Sequence, residues 1–348
     1  MPIYNNKGKF MKKIFLISTL LLSFGLNAQV STLPETPFKL ANYSVGGNER
    51  LGIVIDDVLV DLRQANAYVE EQAGLNEVRI PRSMLRLIER QAELKPRLFQ
   101  IANFVSDQLD EVSFVYNLSE ITLHAPIKYP YNLLAAGQNY RAHATEMGGN
   151  AEIDPDEDNP FFFAKSPRST IIDPFQPFIM QPHHATIDWE GEFSIVMGSE
   201  TRYATLENAM DHVFGFTITF DVSDRERQIP ENGRYARDWF PGKSMDQGAP
   251  MGPYVVMKEF LPNYNQLALI TRVNGQVMQS SDTSYLIHDV ERLIRYASGV
   301  MRLWPGDVLA TGTPEGVGRG RNPSIYLEPG DIVEIEVEGI GTLVTPIL

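Results

Sequence analysis

The chain contains no cysteine. Disulfides, thiol nucleophiles and thiolate metal sites are therefore excluded, and any metal must be held by Asp, Glu, His or carbonyl oxygens. Basic residues are also scarce: 30 Lys and Arg face 44 Asp and Glu, for a formal net charge of −14. That balance argues against nonspecific nucleic-acid binding, which needs basic surface, and against a polybasic membrane patch. Tandem repeats and low-complexity tracts are missing too. What is present is a 348-residue chain that is 43% hydrophobic, enough for one or two domains with a large core.

The apolar run Ile14 to Leu26 follows Lys12 and Lys13 and precedes the small Ala28. It is shorter than the roughly 20 residues that cross a bilayer. The pattern matches a secretory signal over residues 1–28, with Met11 as an alternative start, more closely than a buried N-terminal helix. The expectation is an exported, periplasmic or secreted protein without a stable membrane anchor.

Residues 29–65 alternate strand-like runs with turns, "PFKLANYSV", "GGNER" and "LGIVIDDVLVDL", and suit a small antiparallel sheet. Residues 66–112 carry helical spacing, with an interruption expected near Pro96. A boundary is placed near residue 125, giving a small N-terminal domain over 29–125 and a larger one over 126–348. Beyond it "GNAEIDPDEDNPFFFAKSP" reads as a surface insertion, and "DVERLIRYASGVM" as an amphipathic helix with apolar Val290, Leu293, Ile294, Ala297 and Val300 or Met301 on one side. "WPGDV" and "EPGDI" read as one turn used twice, each launching a strand. The fold class is strand-dominated α+β.

In "DWEGEF", Glu190 and Glu192 are two residues apart, so a strand would put both on one face. Two neighbouring carboxylates in a dry site need a cation or a raised pKa. Asp221, closing the apolar run "FGFTITF", offers a third oxygen ligand, and such a set suits Mg²⁺ or Mn²⁺. His143 and Glu146 in "NYRAHATEMGG" share a face if helical, an arrangement for a general base. Asp224 to Arg227 read as a solvated turn, with Arg225 able to meet a substrate carboxylate. His183 and His184 read as loop residues without a role. "GKS" at Gly242–Ser244 is not a phosphate loop, because Arg237 stands where the first glycine is required. Lys243 remains as a cation for an anionic substrate, and "ATGTPEGVG", with Thr311 and Thr313, could cradle an anion.

In order, "GQNYRAHATEMG", "DWEGEFSIVMG", "TFDVSDRERQ", "WFPGKSMDQGAPMGPYVV" and "LWPGDVLATGTPEGVG" resemble the fumarylacetoacetate hydrolase family over about residues 130–348. The resemblance implies a mixed β-sandwich roll with a small N-terminal α+β domain, usually in a homodimer. It implies Mg²⁺ or Mn²⁺ on Glu190, Glu192 and Asp221, with Ca²⁺ also compatible with oxygen ligands. It further implies a His143–Glu146 dyad on a lid, and Lys243, Gln228 and Thr313 as substrate or oxyanion contacts. Arg225 also matches a common family position. The chain departs from the family at Asp224 and Arg227, where many members carry small and apolar residues.

The activity expected from the resemblance is hydrolysis of a C–C bond in a 2,4-diketo acid such as an acylpyruvate. The same site supports decarboxylation, isomerisation or hydration of oxaloacetate or another small anionic 2-oxo acid. A reading from another class is a secreted binding protein that kept the fold and lost catalysis.

Overall fold

The computed structural model describes residue 1 and residues 30–149, 152–230 and 235–348; the expected leader therefore lies outside the described residues. β1 (Lys39–Val45), β2 (Asn48–Ile55) and β3 (Val58–Asp61), each with a run of buried residues, pair into an antiparallel meander. Asp61 then starts α1 (Leu62–Ala73), its carboxylate accepting from the N–H groups of Arg63 and Gln64. α2 (Met84–Glu89) and α3 (Gln91–Val105) follow. The interruption expected at Pro96 falls instead at Arg90, and α3 continues through the proline. Leu94, Leu98, Ile101 and Ala102 of α3 are buried, and this packing outweighs one missing backbone donor. The short strands β4 (Val115–Asn117) and β5 (Thr122–His124) complete this part.

Next come β6 (Leu133–Gly137), α4 (Arg141–Glu146), β7 (Phe161–Lys165), α5 (Pro167–Thr170), β8 (Ile171–Ile172) and β9 (Ile187–Asp188). The segment expected to be a surface insertion thus ends in a strand, because "FFFAK" pairs residue for residue with β6. The wholly buried strands β10 (Gly191–Met197) and β11 (Val213–Phe220) follow, then β12 (Ser223–Asp224), α6 (Phe240–Lys243) and the buried β13 (Ala249–Met257). β14 (Ala268–Val273), β15 (Gln276–Asp282), α7 (Val290–Val300), β16 (Val308–Ala310), β17 (Ile332–Val337) and β18 (Gly341–Pro346) close the chain.

The large sheet runs β4-β3-β2-β1-β13-β11-β10-β16-β6-β7, with β5 on β1 and β8 on β13. The boundary expected near residue 125 falls between β5 and β6. The chain on either side is nevertheless joined into this one sheet where Leu40 of β1 pairs with Val255 of β13. A second sheet, β15-β14-β17-β18, packs on the first. Its Leu269, Ile335 and Leu343 share a core with Phe193, Ile195, Phe216 and Ile218. This is the strand-dominated α+β sandwich expected from the sequence. The repeated turn is also present: the N–H of Trp304 donates to Asp307 and that of Glu328 to Asp331, at 2.9 and 2.8 Å.

Gly191 marks where the two sheets press closest to the candidate site. A side chain there would meet Thr271 Oγ1 at 2.2 Å and Ile335 Cγ2 at 2.9 Å. The pleat turns this bare position toward the second sheet and sends Glu190 and Glu192 to the other side.

Candidate functional site

A pocket opens at the start of β10. Glu190 and Glu192 come from the β9–β10 junction, and Asp221 from the end of β11, where its N–H donates to the Glu190 carbonyl at 2.9 Å. All three are at least 96% buried. Each offers an oxygen, and these atoms lie within 4.8 Å of one another. Burying three carboxylates together is prohibitive without cations, and the protein supplies three. Lys243, at the end of α6, donates to Asp221 Oδ2 at 2.6 Å and to Glu190 Oε2. Lys165, at the end of β7, donates to Asp221 Oδ1 and to the Val222 carbonyl at 3.3 Å. Arg225 pairs with Glu190 Oε1 at 2.7 Å.

These partners divide the cluster electrostatically. Burial pushes Glu190 up, but the charges of Arg225 and Lys243 outweigh it and hold the carboxyl below its ordinary range. Burial, then repulsion from Asp221 and Glu190, pushes Glu192 well above its ordinary value, against Lys243 and the N–H of Gly312, which donates to it at 2.9 Å. Burial lowers Lys165. Lys243 is raised, because Asp221 and Glu190 overcome its burial.

The three carboxylates fit a hard divalent cation by ligand chemistry and by spacing. Glu192 is the group that the protein's own cations leave least compensated, so its carboxyl holds a proton above the ordinary carboxylate range. A bound cation would take the place of that proton.

His143 of α4 faces the same pocket. Its Nδ1 lies 3.2 Å from Glu146 Oε2 and its Nε2 3.9 Å from Glu190 Oε1. A carboxylate only accepts, so Glu146 places the ring proton on Nδ1 and leaves the Nε2 lone pair toward the pocket. Glu146 is itself fixed, its Oε1 accepting from the N–H of Gly316 at 3.0 Å. Gln228 lines the pocket with its buried Nε2 lacking a hydrogen-bond partner among the described residues. Thr313 lines it too, but its hydroxyl donates to the Gly191 carbonyl at 3.0 Å and accepts from Gln279 at 2.7 Å.

Of the site residues read from the sequence, His143, Glu190, Glu192, Asp221, Arg225, Gln228, Lys243 and Thr313 line one pocket; Glu146 stands behind His143, and Thr311 is not among the lining residues, its hydroxyl donating to the Phe193 carbonyl at 2.9 Å. Two expectations about their surroundings change. Asp224 and Arg225 are not solvated: they are 1% and 7% exposed, since β12 pairs with β9 and Thr186 donates to Asp224 at 2.7 Å. Arg225 spends its guanidinium inside the site, its Nε donating to Asp188 Oδ2 at 2.7 Å.

Sequence reasoning passed over Lys165, Asp188 and Arg237. Asp188 anchors Arg225 while accepting from the N–H groups of Trp189, Gly318 and Arg319 at 2.8, 2.7 and 3.0 Å. Its only sequence signal was an acid opening a buried run. Lys165 lay in the segment read as a surface insertion.

Comparisons with known proteins bear on this site. The family model "Fumarylacetoacetate (FAA) hydrolase C-terminal" matches residues 132–348. The chain is 37% identical over 299 residues to oxaloacetate tautomerase YisK of Bacillus subtilis, covering 84% of this chain and 94% of that protein. It is 38% identical over 230 residues to the mitochondrial oxaloacetate tautomerase FAHD2A of Bos taurus, covering 66% and 70%.

Among solved structures it resembles the fumarylacetoacetate hydrolase EaFAH of Exiguobacterium antarcticum. The TM-score is 0.70 at 31% identity, covering 89% of this chain and 99% of that one. It also resembles the maleylpyruvate hydrolase of Sphingobium sp. SYK-6 solved with manganese(II) and pyruvate. There the TM-score is 0.65 at 26% identity, covering 89% and 98%.

The expectation of export is corrected by these relatives, of which the Bos taurus protein is mitochondrial. Among the described residues no helix is long and apolar enough to cross a membrane. The relatives are hydrolases and tautomerases, enzymes acting on small acids. The chain belongs to the fumarylacetoacetate hydrolase family of enzymes.

Proposed function

We propose that this chain is a divalent-metal-dependent tautomerase of a small 2-oxo diacid of the oxaloacetate type. Glu190, Glu192 and Asp221 would hold Mg²⁺ or Mn²⁺. When bound, the ion supplies a Lewis acid that stabilises negative charge developing on the 2-oxo group.

The observation that carries the reading is the placement of His143. Its proton-accepting Nε2 lies against the carboxylate cluster, 3.9 Å from Glu190, while Glu146 holds Nδ1. Enol-to-keto conversion needs one proton taken from the C2 hydroxyl and one delivered to C3, with no water consumed and no change of oxidation state. His143 is the group that moves a proton, and Glu146 fixes its tautomer. The unpartnered amide of Gln228, and the one ammonium hydrogen of Lys243 not given to Glu190 or Asp221, offer donors to the substrate's oxygens at its reacting end. C–C hydrolysis, the activity first expected, would need an attacking water as well. The tautomerase names of two relatives, one matching across most of both chains, favour the simpler reaction.

A substrate panel tests this. With Mn²⁺ or Mg²⁺ the purified protein should accelerate ketonisation of enol-oxaloacetate more than it cleaves an acylpyruvate. Faster acylpyruvate cleavage would return the assignment to the hydrolases. Light scattering of the purified protein checks the homodimer that the family resemblance implies.

A further inference from the structure

We infer that Arg237 is the specificity residue for the substrate's distal carboxylate, so that the site selects 2-oxo dicarboxylates over 2-oxo monocarboxylates. The inference rests on the tautomerase reading for its substrate class and on separate observations for the residue.

The pocket has three cations at its wall. Arg225 and Lys243 are buried and committed to the carboxylate cluster, Arg225 to Asp188 and Glu190 and Lys243 to Glu190 and Asp221. Lining the same pocket, Arg237 is exposed and has no carboxylate partner among the described residues. A dianionic substrate brings one more negative charge than the reacting 2-oxo acid end requires, and Arg237 is the cation left to meet it. A guanidinium stays charged across the working pH range and matches a carboxylate with two parallel hydrogen bonds.

Its mount is firm. On its C-terminal side the Asp238 N–H donates to the Gln228 carbonyl at 3.0 Å. Trp239 then packs against Phe161 and Phe163, with ring centroids 5.0 Å away in each case. Gly137 leaves room for that indole, since a side chain there would meet Trp239 at 3.3 Å. The loop therefore presents Arg237 beside Gln228, itself a pocket residue with a spare buried donor.

The test uses two ligands that the Mn²⁺-loaded protein binds without needing turnover. These are 3,3-difluorooxaloacetate, which keeps both carboxylates and has no hydrogen on C3, and pyruvate, which lacks the distal carboxylate. Calorimetry should show that Arg237→Gln weakens the difluoro diacid by about tenfold and leaves pyruvate unchanged, with Arg237→Lys in between. In turnover, Arg237→Gln should raise KM for oxaloacetate and spare kcat. Equal affinities of wild type and Arg237→Gln for the diacid, or an equal loss for both ligands, would overturn the inference. Should wild type bind the diacid through Arg237 yet fail to ketonise oxaloacetate, the tautomerase reading falls and the dicarboxylate subsite stands.

Discussion

Glu190 and Glu192, separated by one glycine, are held on opposite sides of the ordinary carboxylate range. Burial acts on both in the same direction, upward. Arg225 and Lys243 reverse it for Glu190, whereas Asp221 and Glu190 reinforce it for Glu192.

This asymmetry predicts unequal effects of the same substitution in metal-free protein. Glu190→Gln leaves two buried cations short of a counter-charge and should cost about 3 kcal/mol. Glu192→Gln resembles the protonated acid already favoured there and should change stability by less than about 1 kcal/mol. Urea denaturation measures both, and equal losses would contradict the division of charge. In the same proteins Glu192→Gln should weaken Mn²⁺ binding by roughly 100-fold or more, since altering groups that only orient a ligand already costs about 10–100-fold.

Gly191→Ala tests the mount of the pair. The added methyl runs into Thr271 and Ile335 of the second sheet, at 2.2 and 2.9 Å. Overpacking of this kind costs typically 1–3 kcal/mol. Unfolding should therefore shift to lower denaturant, and Mn²⁺ affinity should fall with it as the two carboxylates are displaced. Unchanged values for both would show that the sheet contact does not set the spacing.

For the dyad, His143→Asn should lower kcat by roughly 10²–10⁴-fold, the usual worth of a positioned acid–base group, with little change in KM. Glu146→Gln should cost less and shift the pH–rate profile, because it alters only what holds the imidazole. Steady-state kinetics across pH separate the two. A Glu146→Gln profile superimposable on that of wild type would remove Glu146 from the mechanism.

Acid stability should depend on Asp61, which caps α1 and also accepts from the Tyr43 hydroxyl at 2.6 Å and from Arg50 at 3.2 Å. Burial raises its carboxyl, but the hydrogen bonds from Tyr43 and Gln64 and the Arg50 guanidinium outweigh it and hold the group below 3.8. A carboxyl depressed by folding stabilises the native state above its unfolded value, and that gain disappears as pH falls through the folded one. The Tm gap between wild type and Asp61→Asn should therefore be full near neutrality and shrink below pH 3.8. A gap independent of pH would contradict this.

Much of the site was legible because its signals are local. A period of two puts Glu190 and Glu192 on one face, a carboxylate ending an apolar strand marks Asp221, and a spacing of three joins His143 to Glu146. The paired "PGD" turns and the buried stripe of α7 from Val290 to Ala297 were legible for the same reason, whereas Val300 at the helix end is exposed. What stayed hidden depends on contacts distant in sequence. Lys165 and Asp221 meet only because β7 and β11 converge on one pocket. Arg225 is buried because Asp188, 37 residues earlier, receives it. Leu40 pairing with Val255 could not be read from either strand alone. Pro96 misled because local propensity was allowed to overrule the packing of α3.

The central claim is most directly tested by following the loss of enol-oxaloacetate and the release of pyruvate together, with Mn²⁺ present. The account predicts enol loss that is accelerated by the wild-type protein, abolished by chelator and by His143→Asn, and unaccompanied by pyruvate. Enol loss no faster than without protein, or loss matched by pyruvate release, would contradict it.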